Sequence, residues 1–399
     1  MILGSKLTQS VDHNDGAPTF LRLEVFIVKL FTSITGKGSL LPAGIQLLGN
    51  GRHFLCKAIF PQHGKLITGI NLHNPISLII YRKVVIIMVS SKKSMKKRIP
   101  LIVITVIFVF CAVSLVATKL IYDGIFTRYD RQSAVPQELE TLIQARQICQ
   151  FSSGENQLTG YFYPARNPAD SHGLIVYAPG FSAGGDDYLW QIRELMDYGW
   201  AVFTFDATGT LRSQGENQVG FSQSVLDLDA ALKYVEINSC FGYNNLVLMG
   251  HSRGGYAACC VLAQPRDVSA VVSISGVNSA MEGVMEMSSN AIGPISYGNY
   301  GFLWLYQAML FGTQTLELDA SEIISQKDVP VLVIHGTQDT QFPVDSGSII
   351  AHRSDIHSNQ VEYLLYDAGH TDILYDPDGT ANDKLIQNIH AFLLRSIEK

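Results

Sequence analysis

The chain has 399 residues, of which 47% are hydrophobic and 16% charged, the composition of an ordinary globular protein with a sizeable core. Its net charge of -6 conceals an asymmetry: residues 1–98 carry 14 Lys and Arg against 3 Asp and Glu, and the remainder 15 against 32. An acidic body argues against nucleic-acid binding there, the charges of the basic head are diluted by apolar residues, and a membrane between the two is the simplest cause of the split.

Residues 1–90 show no sustained helical or strand period. Short apolar stretches at Ile76–Tyr81 and Val84–Val89 are divided by Arg82 and Lys83. The segment is expected to be poorly ordered, or to precede a biological start at Met88 or Met95. Residues 91–98 form a basic flank, with five positive charges between Lys92 and Arg98. Then comes an apolar run, Ile99–Ala117, interrupted only by Pro100, Thr105 and Ser114. A helix needs about 20 such residues to cross the hydrocarbon core, so residues 99–118 are expected to span a bilayer. Positive charge stays on the cytoplasmic side, which puts the N-terminus inside and the long C-terminal part outside. A cleavable signal peptide shares this layout, but the run exceeds the usual apolar core and no clear Ala-x-Ala site follows. The expected reading is an uncleaved signal anchor of a single-pass membrane protein, with residues 119–140 as a juxtamembrane linker.

From residue 141 onward, apolar runs alternate with amphipathic segments. Strands are predicted at Gln157–Tyr163, Gly173–Ala178, Trp200–Phe205, Asn245–Met249, Val268–Ser275, Val329–His335 and Val361–Tyr366. Helices are predicted at Asp187–Tyr198, Ser222–Ile237, Tyr256–Gln264 and Leu385–Ile397. Short, wholly apolar strands alternating with helices imply an α/β domain over 141–399, a mostly parallel sheet covered on both faces. Residues 278–327 fall outside the alternation and read as an inserted cap.

Two segments match G-x-S-x-G, a pattern that allows a strand to turn sharply into a helix with a serine at its tip. In Gly250-His251-Ser252-Arg253-Gly254 an apolar strand leads in and a helix-compatible run follows. In Gly180-Phe181-Ser182-Ala183-Gly184 a proline precedes and Gly185-Asp186-Asp187 follows, which describes a loop, so Ser252 is the predicted nucleophile. A serine hydroxyl needs a base to take its proton and an acid to orient that base. Asp339 follows the strand ending at His335, and His370 follows the strand VEYLLY, giving the order Ser, Asp, His. Asp206, Asp345, Asp372 and Asp376 are less well placed as the acid, and His251 and His335 read as packed or loop-stabilising.

The stretches APGF at 178–181, FDATGTLRSQG at 205–215, GHSRGG at 250–255, and HGTQD with AGH near the end resemble the α/β-hydrolase superfamily. The resemblance is to the branch of monoglyceride-lipase-like esterases and serine aminopeptidases. It implies the α/β-hydrolase fold and an oxyanion hole made by the backbone N–H groups of Phe181 and Arg253. It also departs from that branch, with Pro179-Gly180 where His-Gly is common. Ser182, His251 and Trp304 are candidate substrate contacts. The cap is rich in Met and aromatic residues (Met281, Met285, Met287, Trp304 among them), which suits an acyl chain or aromatic leaving group but serves equally to pack the cap itself.

No metal-ligand spacing, phosphate loop or dinucleotide fingerprint occurs, so no cofactor is expected. Cys259 and Cys260 read as core, while Cys149 and Cys240 are the only plausible disulfide partners, with unpaired as the default. The expected activity is carboxylic-ester hydrolysis through an acyl-enzyme. The alternatives are a peptidase or amidase on short substrates, or a non-catalytic surface binding protein on the same scaffold.

Overall fold

The computed structural model describes residues 44–48, 55–59, 66–68, 95–238 and 241–398. In the first part, where the sequence shows no strand period, three short strands pair antiparallel in the order β1-β2-β3: β1 (Gly44–Leu48), β2 (Leu55–Ile59) and β3 (Leu66–Thr68). The rest of the segment expected to be poorly ordered, with its candidate start at Met88, lies outside the described residues. So does Cys240.

Helix α1 (Met95–Ile125) contains the apolar run and continues seven residues past the predicted span. Its stretch Pro100–Ile125 is long and apolar enough to cross a membrane. Leu101–Phe110 is exposed at most positions, but Ser114, Thr118 and Tyr122 are buried, and Phe126 follows them just past the helix end. That spacing of four puts these residues on one face. The stretch read as a linker is therefore folded from its first residue. Next come α2 (Glu140–Ala145) and β4 (Gln147–Ser153), neither named from the sequence, and β5 (Asn156–Tyr163).

The main sheet has eight strands in the order β11-β10-β9-β8-β6-β7-β5-β4. Its members are β6 (Gly173–Ala178), β7 (Trp200–Phe205), β8 (Leu246–His251), β9 (Ala270–Ile274), β10 (Val331–Gly336) and β11 (Val361–Tyr366), all parallel, with β5 and β4 antiparallel at one edge. Strands β6, β7, β8 and β10 are buried at every position. Alternate residues feed two cores: Leu174, Val176, Leu246, Leu248, Val331 and Val333 face one layer, and Ile175, Tyr177, Val247, Met249, Leu332 and Ile334 the other. Each such side chain contributes about 1.5–3 kcal/mol of burial, which is why the strands carry no polar alternation.

Helices α3 (Leu189–Asp197) and α9 (Asp383–Ile397) cover one face; α4 (Phe221–Ile237) and α5 (Arg253–Cys260) cover the other. Cys259 and Cys260 are wholly buried free thiols in this second layer, and burial pushes Cys259 up to about 12. Between β9 and β10 lie α6 (Ala280–Ile292), α7 (Tyr300–Leu316) and α8 (Ala320–Gln326), the segment read as a cap. The buried face of α1 docks on it. Asn299 donates to Thr118 Oγ1 at 2.8 Å, Tyr306 donates to Asp123 Oδ1 at 2.8 Å, and Tyr122 donates to Gln307 Oε1 at 3.3 Å.

Candidate active site

Strand β8 ends at His251, and α5 begins at Arg253, with Ser252 alone between them at φ 57° and ψ −120°. This turn is tight enough to dictate its neighbours. A Cβ at Gly250 would lie 2.1 Å from the Gly254 carbonyl oxygen, and one at Gly254 would lie 2.1 Å from that of Ala178. The helix starts three residues earlier than the sequence suggests, because the elbow leads into it directly. Arg253 is thus its first residue, where an N–H has no carbonyl acceptor within the helix.

Three parallel strands bring the chemistry together at their carboxyl ends. Nε2 of His370, in the loop after β11, lies 2.8 Å from Ser252 Oγ, and its Nδ1 lies 2.6 Å from Asp339 Oδ2 in the loop after β10. All three side chains are buried. Burial alone would raise the Asp339 carboxyl. Donors prevail: His335 at 3.2 Å and His370 approach Oδ2, while the N–H groups of Gln341 and Phe342 donate to Oδ1 at 2.9 and 3.0 Å. Together they hold the carboxyl well below the usual carboxylate range. An ionised Asp339 keeps the His370 proton on Nδ1 and leaves Nε2 free to accept from Ser252. Asp206 is elsewhere: it accepts from Tyr161 Oη at 2.7 Å and from the N–H groups of Gly185 and Arg212, tying down its own loop.

A cavity of about 320 Å³ opens beside Ser252 and His370, lined also by Phe181, Ser182, Met287, Phe342 and Tyr129. His251 touches it, but both ring nitrogens are engaged. Nε2 lies 3.0 Å from the His370 carbonyl and therefore carries the proton, and Nδ1 accepts from Tyr188 Oη at 3.2 Å. Burial lowers this imidazole to about 3 and keeps it neutral. Tyr188 Oη in turn accepts from the Gly180 N–H at 2.9 Å, so one relay joins the loop before Phe181 to the backbone of His370. The buried Arg253 guanidinium, lowered to about 10 by burial, reaches the Gly180 carbonyl at 3.4 Å and stands 5.7 Å from the Phe181 ring.

Trp304 is not among the residues lining this cavity. It is half-buried and packs against the core beneath the cap. Ser182 does line it, at φ 53°, but its N–H and Oγ are both bonded to the side chain of Gln218. Gln218 and Tyr129 escaped the sequence reading. Neither carries a motif, and only the positive φ at Ser182, invisible in sequence, marks the need for a clamp. Among the described residues no cluster of His, Cys, Asp or Glu could hold a metal ion.

Residues 169–293 match the family described as serine aminopeptidase, S33. Among solved structures, an esterase of Pyrococcus furiosus superposes with a TM-score of 0.50 at 19% identity, covering 68% of this chain and 98% of its own. An α/β hydrolase of Penicillium sp. follows at TM-score 0.47 and 15% identity, covering 64% and 99%. An acylaminoacyl peptidase of Pyrococcus horikoshii gives 0.47 and 16%, covering 66% of this chain and 44% of its own. The chain has the α/β-hydrolase fold, and the family match falls on its β6 to α6 region.

Proposed function

We propose that the protein is a membrane-anchored serine hydrolase that cleaves carboxylic esters through an acyl-enzyme. The observation that carries this reading is the unbroken chain Ser252 Oγ, His370, Asp339, with links of 2.8 and 2.6 Å, opening on a cavity. In the proposed reaction His370 Nε2 takes the Ser252 proton as Oγ attacks the ester carbonyl. Asp339 stabilises the resulting imidazolium, and the N–H groups of Phe181 and Arg253 receive the charge on the carbonyl oxygen. His370 then returns the proton to the leaving alcohol, and water repeats the sequence on the acyl-enzyme. The anchor would be the part of α1 over residues 99–118, and the basic flank before it supports an N-terminus in the cytoplasm and a catalytic domain outside.

The family description favours one rival, an aminopeptidase. A free substrate amine wants an unengaged carboxylate in the cavity. Asp187 is the one acid among the described lining residues, and its oxygens already accept from the Gly184 N–H and from Ser133. That supports the ester reading.

The test is a fluorophosphonate probe on the full chain in detergent micelles, with the adduct mapped by mass spectrometry, beside turnover of aryl esters and aminoacyl anilides. Labelling at Ser252, lost in Ser252→Ala and kept in Ser182→Ala, together with ester turnover is the expected result. Anilide turnover exceeding ester turnover would select the peptidase, and a folded protein that neither labels nor turns over would select the binding scaffold.

A further inference from the structure

The apolar helix delivers the chain straight into the site. Phe126, wholly buried just past its end, meets the Phe181 ring edge-on at 5.3 Å and the Phe221 ring at 6.1 Å. Its carbonyl accepts from the Gln218 N–H at 2.8 Å. The Gln218 side chain, itself buried, donates through Nε2 to the Thr127 carbonyl at 3.0 Å and to Ser182 Oγ at 3.2 Å, while its Oε1 accepts the Ser182 N–H at 2.9 Å. A carbonyl on one side and an N–H on the other fix which end of the amide is which. Beyond it, the Arg128 guanidinium donates to the carbonyls of Leu211, Ser213 and Gly215, at 2.5, 2.9 and 2.8 Å. Tyr129 then pairs with Gly209 and Leu211 and lines the cavity.

These bonds converge on a residue in a costly conformation. Ser182 has φ 53°, which for a non-glycine residue is held only when its surroundings impose it. Its N–H and its Oγ are both bonded to the Gln218 side chain. Phe181, the residue before it, is gripped from the other side by the Phe126 ring. We propose that residues 126–129 are a working part of the active site. Acting through Gln218 as a positioning residue, they hold the 180–184 loop so that the Phe181 N–H faces the oxyanion. The chain that links the anchor to the domain thereby sets the geometry of catalysis. This rests on the oxyanion role proposed above for Phe181.

The experiment compares the full chain in detergent micelles with Gln218→Met, which keeps the volume and loses the hydrogen bonds, and Phe126→Leu, which loses the ring contact. Misplacing one oxyanion donor is expected to lower kcat by about tenfold to a hundredfold in Gln218→Met. KM should stay within about threefold, because the donor acts on the transition state. Phe126→Leu moves in the same direction and stands in if Gln218→Met does not fold. Amide hydrogen exchange over residues 180–186 provides a readout independent of turnover, and it is expected to quicken in both variants. A lower melting temperature with unchanged kcat per probe-reactive molecule would make Gln218 merely structural and overturn the proposal. Unchanged exchange in the loop would overturn it too. Wild-type protein that neither labels nor turns over would sink the hydrolase reading instead, while the exchange comparison still decides the clamp.

Discussion

Asp339 and His370 are joined by a 2.6 Å contact between Oδ2 and Nδ1, and the other carboxylate oxygen is saturated by two backbone N–H groups. An amide in place of this carboxylate must turn an NH2 toward a donor on one side or the other. Asp339→Asn is therefore expected to put the His370 proton on the wrong nitrogen and lower kcat on the order of 10⁴-fold, the size seen when a triad acid is neutralised elsewhere. Steady-state kinetics on a purified, folded variant checks it. A fall of less than about tenfold would show that the acid lies elsewhere.

The elbow glycines give a stability test independent of chemistry. Gly254→Ala drives a methyl group to 2.1 Å from the Ala178 carbonyl, where backbone on both sides leaves no room to yield. A loss of about 3 kcal/mol or more is expected by denaturant or thermal unfolding. Gly301→Ala is the control. Gly301 lies in α7, and a Cβ there meets nothing within 4 Å, so the variant is expected to gain up to ~1 kcal/mol from helix propensity.

His251 predicts an acid limb in stability. Its folded value of about 3 lies below the 6.5 of a free imidazole because burial disfavours the charged form. Between those values the unfolded chain binds a proton that the folded one refuses, so this residue's effect is nil above pH 6.5 and grows as pH falls toward 3. His251→Gln, which does not titrate, is expected to lose less melting temperature than wild type between pH 7 and pH 4.5. Parallel curves for the two proteins would contradict the assignment.

Tyr129 tests whether the segment after the apolar helix touches substrate. Its ring borders the cavity beside Ser252. In Tyr129→Ala the ratio of kcat/KM for a long-chain over an acetyl aryl ester is expected to rise severalfold, on the order of 1 kcal/mol of differential binding. An unchanged ratio across an ester series would place Tyr129 outside the acyl path.

Much of the fold was legible because the central strands are buried on both faces. The runs at Asn245–Met249, Val329–His335 and Val361–Tyr366 read as strands, and the segments after them carry Ser252, Asp339 and His370 in that order. Strand β4, QICQFSS, was missed since it lies at the sheet edge, where only Phe151 and the terminal Ser153 are buried and no apolar run forms. Residues 119–140 were read as a linker for a similar reason. Four buried positions spaced four apart look like a continuation of the apolar run until the cap they face is in place. Gln218 was beyond reach altogether, because a glutamine between Asn217 and Val219 acquires meaning only from the distant Ser182 that it restrains.

The backbone at Ser252 has a consequence for stability as well as for chemistry. A serine held at φ 57° forgoes on the order of 1–3 kcal/mol that glycine would recover at once. Were the proposed chemistry not required, glycine at 252 would make the sturdier chain. On the proposed reading, the hydroxyl at 252 is kept against its own conformational cost by its chemistry alone.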